Sequence, residues 1–115
     1  MVSRLDEISE KIASVAKLSG SKTHRSGGYP PWEANWDSPL LAKCKTVYKK
    51  RFNKEPIIEV IHAGLECGII GDKNPGMDMI SIGPTIKNPH SPDECLKITD
   101  IDKIWDLLVD LFKVL

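Results

Sequence analysis

Twelve residues, Gly83 to Glu94, constrain this chain more than any other stretch: G-P-T-I-K-N-P-H-S-P-D-E. Pro84, Pro89 and Pro92 each fix their own φ and push the residue before them out of the helical region. No helix passes through such a stretch. It holds His90 between Pro89 and the pair Ser91-Pro92, with two carboxylates, Asp93 and Glu94, directly after. An apolar run, Met77 to Ile82, comes just before it and reads as a strand. A stiff loop at a strand's carboxyl end is where α/β proteins keep ligand-handling groups. The residue type leaves three roles open for His90: metal ligand, catalytic base or packing histidine.

The other elements follow from periodicity and punctuation. Ser3 to Leu18 predicts an amphipathic helix, with Ser3 as N-cap, Leu5, Ile8, Ile12 and Val15 on one packing face, and Gly20 as its stop. Ser21 to Ser26 reads as a short polar strand. Gly27 to Asp37, G-G-Y-P-P-W-E-A-N-W-D, has too many glycines and prolines for regular structure and reads as an interdomain crossing. Tyr29, Trp32 and Trp36 are best suited to docking it by packing. Ser38 caps the next helix and Pro39 takes its favoured first position. Leu40, Leu41, Cys44, Val47, Tyr48 and Phe52 make its buried face. Lys43, Lys45, Lys49, Lys50 and Arg51 make a solvated one.

Ile57 to Ile61 is almost continuously apolar, as in a strand buried on both faces. It runs into H-A-G-L-E-C-G, His62 to Gly68, a tight turn into a short helix. His62 and Glu66 share a face if that helix begins early. A turn over Asp72 to Gly76 and a strand over Met77 to Ile82 follow. Leu96 to Ile98 reads as a short extended piece. Thr99 caps the last helix, whose apolar stripe is Ile101, Ile104, Leu107, Leu108, Leu111, Phe112 and Leu115. Strands alternating with helices predict an α/β fold, with helices covering a partial parallel or mixed sheet. Two strands leave apolar edges open, so the chain reads as the tail of something larger and is expected to self-associate when alone.

Composition removes several classes of function. The 115 residues suit one small domain. Lys+Arg and Asp+Glu are 16 each, so no basic field recruits nucleic acid or an anionic membrane. No apolar run approaches the roughly 20 residues of a membrane span, and the polar start does not read as a signal peptide. Cys44, Cys67 and Cys95 are odd in number and lack C-x-x-C spacing, which excludes a disulfide framework and a zinc knuckle and points to the cytoplasm. His24, His62 and His90 are widely spaced, so no local motif holds a full metal-ligand set.

At H-A-G-L-E-C-G, P-G-M-D-M-I-S-I-G-P-T-I and N-P-H-S-P-D-E the chain closely resembles the aminoacyl-histidine dipeptidases, which cleave Xaa-His dipeptides. These are co-catalytic zinc exopeptidases, grouped with peptidase T, carnosinase and the aminoacylases. S-G-G-Y-P-P-W and the Asp37-Ser38 helix start match the same family, and the likeness spans essentially the whole chain in order. The resemblance implies that residues 1–26 end a lid (dimerisation) domain, 27–36 cross between domains, and 37–115 form the last part of a phosphorylase/hydrolase-like zinc-peptidase catalytic domain. It implies that His90 is the last histidine ligand of one of two zinc ions. It makes Asp93 or Glu94 a candidate to fix the ring's tautomer from behind. It implies substrate contact at Gly64 through backbone, and at His62 or Glu66 through side chains.

The family's H-x-D motif, bridging aspartate and Glu-Glu pair, which includes the general base, have no counterpart in these residues. No catalytic residue is therefore assigned, and the chain alone is expected to be inactive and to bind zinc weakly or not at all. The expected partners are a dipeptide substrate in the intact enzyme and further copies of the chain, with no nucleic acid and no membrane. A reading of another class also stands: a free-standing, non-enzymatic α/β interaction module that self-associates through an open sheet edge. A truncated product without function is a third.

Overall fold

The computed structural model describes residues 4–61 and 66–115. They fall into two compact units, one drawn from Met1–Glu33 with His62–Pro75, the other from Ala34–Ile61 with Gly76–Leu115.

In the first unit the leading amphipathic pattern forms helix α1, Arg4–Leu18. It stops at Gly20, whose φ of 76° is the left-handed value that glycine accepts without penalty. The Gly20 and Ser21 amides return to the Lys17 and Ala16 carbonyls at 3.0 and 3.1 Å. The Ser3 cap lies outside the described residues. The predicted packing face is not packed: Leu5, Ile8, Ile12 and Val15 are all exposed, and α1 buries no residue. The half-covered positions are instead Asp6, Ser9, Ala13 and Ala16, on the neighbouring face. Arg25 pairs with Asp6 there at 2.6 Å. The expected strand over Ser21 to Ser26 does not form, because nothing among the described residues pairs with it.

The second unit's first helix is α2, Pro39–Phe52, and its start follows the sequence signal. Ser38 is extended and buried, its hydroxyl accepts the Leu41 amide at 2.9 Å, and Pro39 opens the first turn. Asn53 closes it in the left-handed region, at φ 51°. In the first unit, α3 is Glu66–Lys73, which reaches two residues into the turn expected over Asp72 to Gly76. Gly68 is its buried residue, and a Cβ there would lie 2.3 Å from the Pro30 carbonyl oxygen.

The core of the second unit joins α2 to α4, Ile101–Phe112. Cys44 and Val47 meet Leu107 and Leu111, with Leu40, Tyr48, Phe52 and Ile80 packed around them. The Tyr48 and Phe52 rings are tilted, 4.7 Å between centroids. Burial raises the pKa of the Cys44 thiol, which keeps it protonated. Arg51 forks to Asp106 at 2.9 Å and Asp110 at 2.6 Å, tying the same two helices on their wet side. Of the predicted α4 stripe, Leu107 and Leu111 are buried and Ile104 and Leu108 half-buried, whereas Ile101, Phe112 and Leu115 stay exposed. Thr99 does not cap α4. It lies inside a 3₁₀ turn, Ile98–Asp100, and Asp100 stands at the cap position with its carboxylate committed elsewhere.

The sheet differs from expectation. Ile57 to Ile61 and Met77 to Ile82 form neither helix nor paired strand, and Ile57 is 85% exposed. A strand buried on both faces needs a neighbour along each edge, and no described segment supplies one. The one ladder among the described residues is antiparallel, not parallel or mixed: β1, Ile86–Lys87, against β2, Cys95–Leu96. Ile86 faces Leu96 and Lys87 faces Cys95. The extended piece predicted at Leu96 to Ile98 is thus shifted, since Ile98 already begins the 3₁₀ turn.

Candidate functional site

The β1–β2 ladder turns the proline-rich stretch into a hairpin, and residues 88–94 are its loop. Its base is pinned. The Lys97 amide donates to the Thr85 carbonyl at 2.9 Å, and the Thr85 hydroxyl donates to Asp100 at 2.6 Å. That hydroxyl, with Lys103 and Lys97 beside it, lowers the Asp100 pKa to about 2.

Inside the loop several polar groups bond to one another. The Ser91 hydroxyl donates to the Asn88 carbonyl at 2.9 Å and accepts the Asp93 amide at 3.2 Å. The Glu94 amide donates to the Ser91 carbonyl at 3.1 Å. The Glu94 carboxylate reaches back and accepts the His90 backbone amide at 2.7 Å. Asn88 and His90 both have left-handed backbone, at φ 51° and 63°. That region is uncommon for any residue but glycine, although Asn and His enter it more readily than most. His90, Asp93 and Glu94 are all exposed. The structure therefore brings these three together on one tight loop, with the Glu94 carboxylate on the backbone of His90.

The remaining predicted site residues are elsewhere. Glu66 is the first residue of α3, exposed, in the other unit. His62 and Gly64 lie outside the described residues. Among the described residues, no group of three or more His, Cys, Asp or Glu side chains gathers as a metal site would.

Two residues near the hairpin were not singled out from sequence. Asp78, on the segment leading to β1, accepts the Leu40 amide at 2.9 Å and so sits at the start of α2. The Ser38 hydroxyl and that amide lower its pKa, as a helix N-terminus does for a carboxylate. Its Oδ1 is enclosed, with no hydrogen-bond partner among the described residues. Asp100 clamps the hairpin base. Neither was legible, because each acts on a segment distant in sequence, and only proximity reveals the pairing.

The comparisons with known proteins decide the family. The description "Peptidase family M20/M25/M40" matches residues 13–113, most of the chain. The chain belongs to this peptidase family. Within it, the chain is 45% identical over 108 residues to the cytosol non-specific dipeptidase of Escherichia coli (strain K12), covering 94% of this chain and 22% of that protein. It also matches the crystal structure of aminoacylhistidine dipeptidase from Vibrio alginolyticus, with a TM-score of 0.77 and 43% identity, over 95% of this chain and 22% of that one. The resemblance to dipeptidases read from the motifs is thus borne out. The family members it matches are several times longer: this chain spans about a fifth of their length.

Proposed function

We propose that this chain is the C-terminal portion of a metal-dependent dipeptidase that hydrolyses Xaa-His dipeptides, and that His90 is one of its zinc ligands. The observation that carries this reading is the near-complete match of the chain to two proteins named as dipeptidases, at 45% and 43% identity. The family match at 13–113 includes the whole hairpin. A cytoplasmic location is proposed from the name of the E. coli relative alone, a cytosol dipeptidase. No helix among the described residues is long and apolar enough to cross a membrane.

The residues described do not by themselves fit a pair of zinc ions. A zinc site takes three or four protein donors, and among the described residues no three such side chains gather to hold a metal. His90 is accordingly one contribution to a ligand set completed by family sequence outside the matched fifth. When bound in that set, zinc would supply an activated hydroxide and polarise the scissile carbonyl. The general base belongs to that other sequence too, so the chain alone is inactive. Glu66, His62 and Gly64 are proposed to contact substrate.

The test is a chimera in which this chain replaces the matched stretch of the E. coli relative. It should hydrolyse an Xaa-His dipeptide with added zinc, and His90→Ala should lower turnover by more than the roughly 10- to 100-fold that loss of a partner behind a metal ligand costs. A chimera indifferent to His90→Ala would overturn the ligand assignment. Turnover by the 115-residue chain alone would overturn its inactivity.

A second reading has an observation of its own. Ile57, Val60 and Ile61, the α1 face, and Trp105 with Phe112 on α4 are exposed apolar groups. A self-associating interaction module would use such surface.

A further inference from the structure

We propose that Glu94 is a positioning residue: by accepting the His90 amide it holds His90 in a left-handed backbone conformation, and so sets the direction in which the imidazole leaves the loop. What the ring then does rests on the reading of His90 as a metal ligand; that Glu94 holds it does not.

The backbone here is unfavourable on two counts. His90 has φ 63°, where its Cβ crowds the following carbonyl. Asn88 has φ 51° immediately before Pro89, although a residue preceding proline is driven toward extended values. Such conformations persist only where the surroundings over-determine them. The surroundings are visible. Glu94 is fixed through its own amide, bonded to the Ser91 carbonyl at 3.1 Å. From that anchored backbone its side chain returns to the His90 amide at 2.7 Å, a short, charge-assisted bond. The ring Ser91 closes between Asn88 and Asp93 supports the same fold of the loop.

This differs from a carboxylate that fixes an imidazole tautomer. Glu94 touches the main chain, not the ring, so its effect needs an acceptor at the right reach and does not depend on which ring nitrogen carries the proton. The side chain one methylene shorter, aspartate, falls short; glutamine keeps an acceptor oxygen at the same distance.

The test uses the full chain, labelled for NMR. In Glu94→Ala, the His90 Cα and Cβ shifts should move from left-handed toward negative-φ values, and exchange of the His90 amide should quicken by about 10- to 100-fold, the loss expected for a hydrogen bond to a charged group on an exposed loop. Glu94→Asp should behave as Glu94→Ala, and Glu94→Gln should restore the wild-type shifts. The melting temperature should barely change in any of them, because the loop lies outside the core. In a His90→Gly background glycine holds positive φ unaided, so adding Glu94→Ala should leave the Asn88 and Ser91 shifts in place. Wild-type His90 shifts and exchange in Glu94→Ala would overturn the proposal, as would failure of Glu94→Gln to restore them. The chimera's response to His90→Ala judges the ligand reading separately, so either can fail without the other.

Discussion

At Gly68 the missing side chain has a physical cause. A Cβ would stand 2.3 Å from the Pro30 carbonyl oxygen, a backbone atom that cannot swing away as a side chain does. Gly68→Ala must therefore separate α3 from the Pro30-Pro31 segment. It should destabilise that unit by about 1–3 kcal/mol, the usual range for overpacking. Amide exchange of α3 in the variant measures it; unchanged protection would mean that the close approach is absent. Asp100 makes a different prediction. Its pKa is lowered to about 2 in the folded chain, against 3.8 ordinarily. A depressed carboxylate stabilises the fold above its unfolded pKa, and that contribution disappears as pH falls from about 4 to about 2. Asp100→Asn should lower stability at neutral pH and flatten the stability curve across that window, as read by denaturation at successive pH values.

At the level of elements, α2 and α4 hold the second unit together. Their shared core has four buried residues, so each matters more than it would in a larger one. Leu107 is 3% exposed, and Leu107→Ala should cost about 2–4 kcal/mol and lower the melting temperature by several degrees. A surface change such as Lys45→Ala should leave it in place. The helices were legible in sequence down to single residues at Ser38-Pro39, because caps and heptad-like spacing act within one turn. α4 shows the limit of that legibility. Its stripe predicted which residues are apolar, but only contact with α2 decided that Leu107 and Leu111 are buried and Phe112 is not. The hairpin is a similar case. Prolines announced a rigid loop at residues 88–94, yet the β1–β2 pairing that makes it a hairpin depends on two-residue strands too short to show any alternation.

For the whole molecule, open apolar surface is the dominant fact. Ile57 to Ile61 has no pairing partner among the described residues, Trp105 is 67% and Phe112 72% exposed, and the apolar face of α1 is exposed. Soluble monomers rarely leave large contiguous apolar patches to water. The isolated chain is expected to self-associate: sedimentation at rising concentration should show growing mass, and Trp105→Lys with Phe112→Lys should reduce it. A sharp monomer across the range would contradict this. Joined to the matched relative in the chimera, the same surfaces should become protected from exchange.

Sequence alone determined the family, the helices and the rigid loop with His90 at its centre, since all three are written in residues close together along the chain. It also determined that 115 residues with one such histidine hold no complete metal motif. Tertiary structure decided the rest: that the two apolar runs find no partner among the described residues, that the ladder there is antiparallel, that Asp78 and Asp100 bind distant segments, and that Glu94 grips a main-chain amide. Each of these depends on which groups meet through space, and pairing of that kind leaves no local pattern to read.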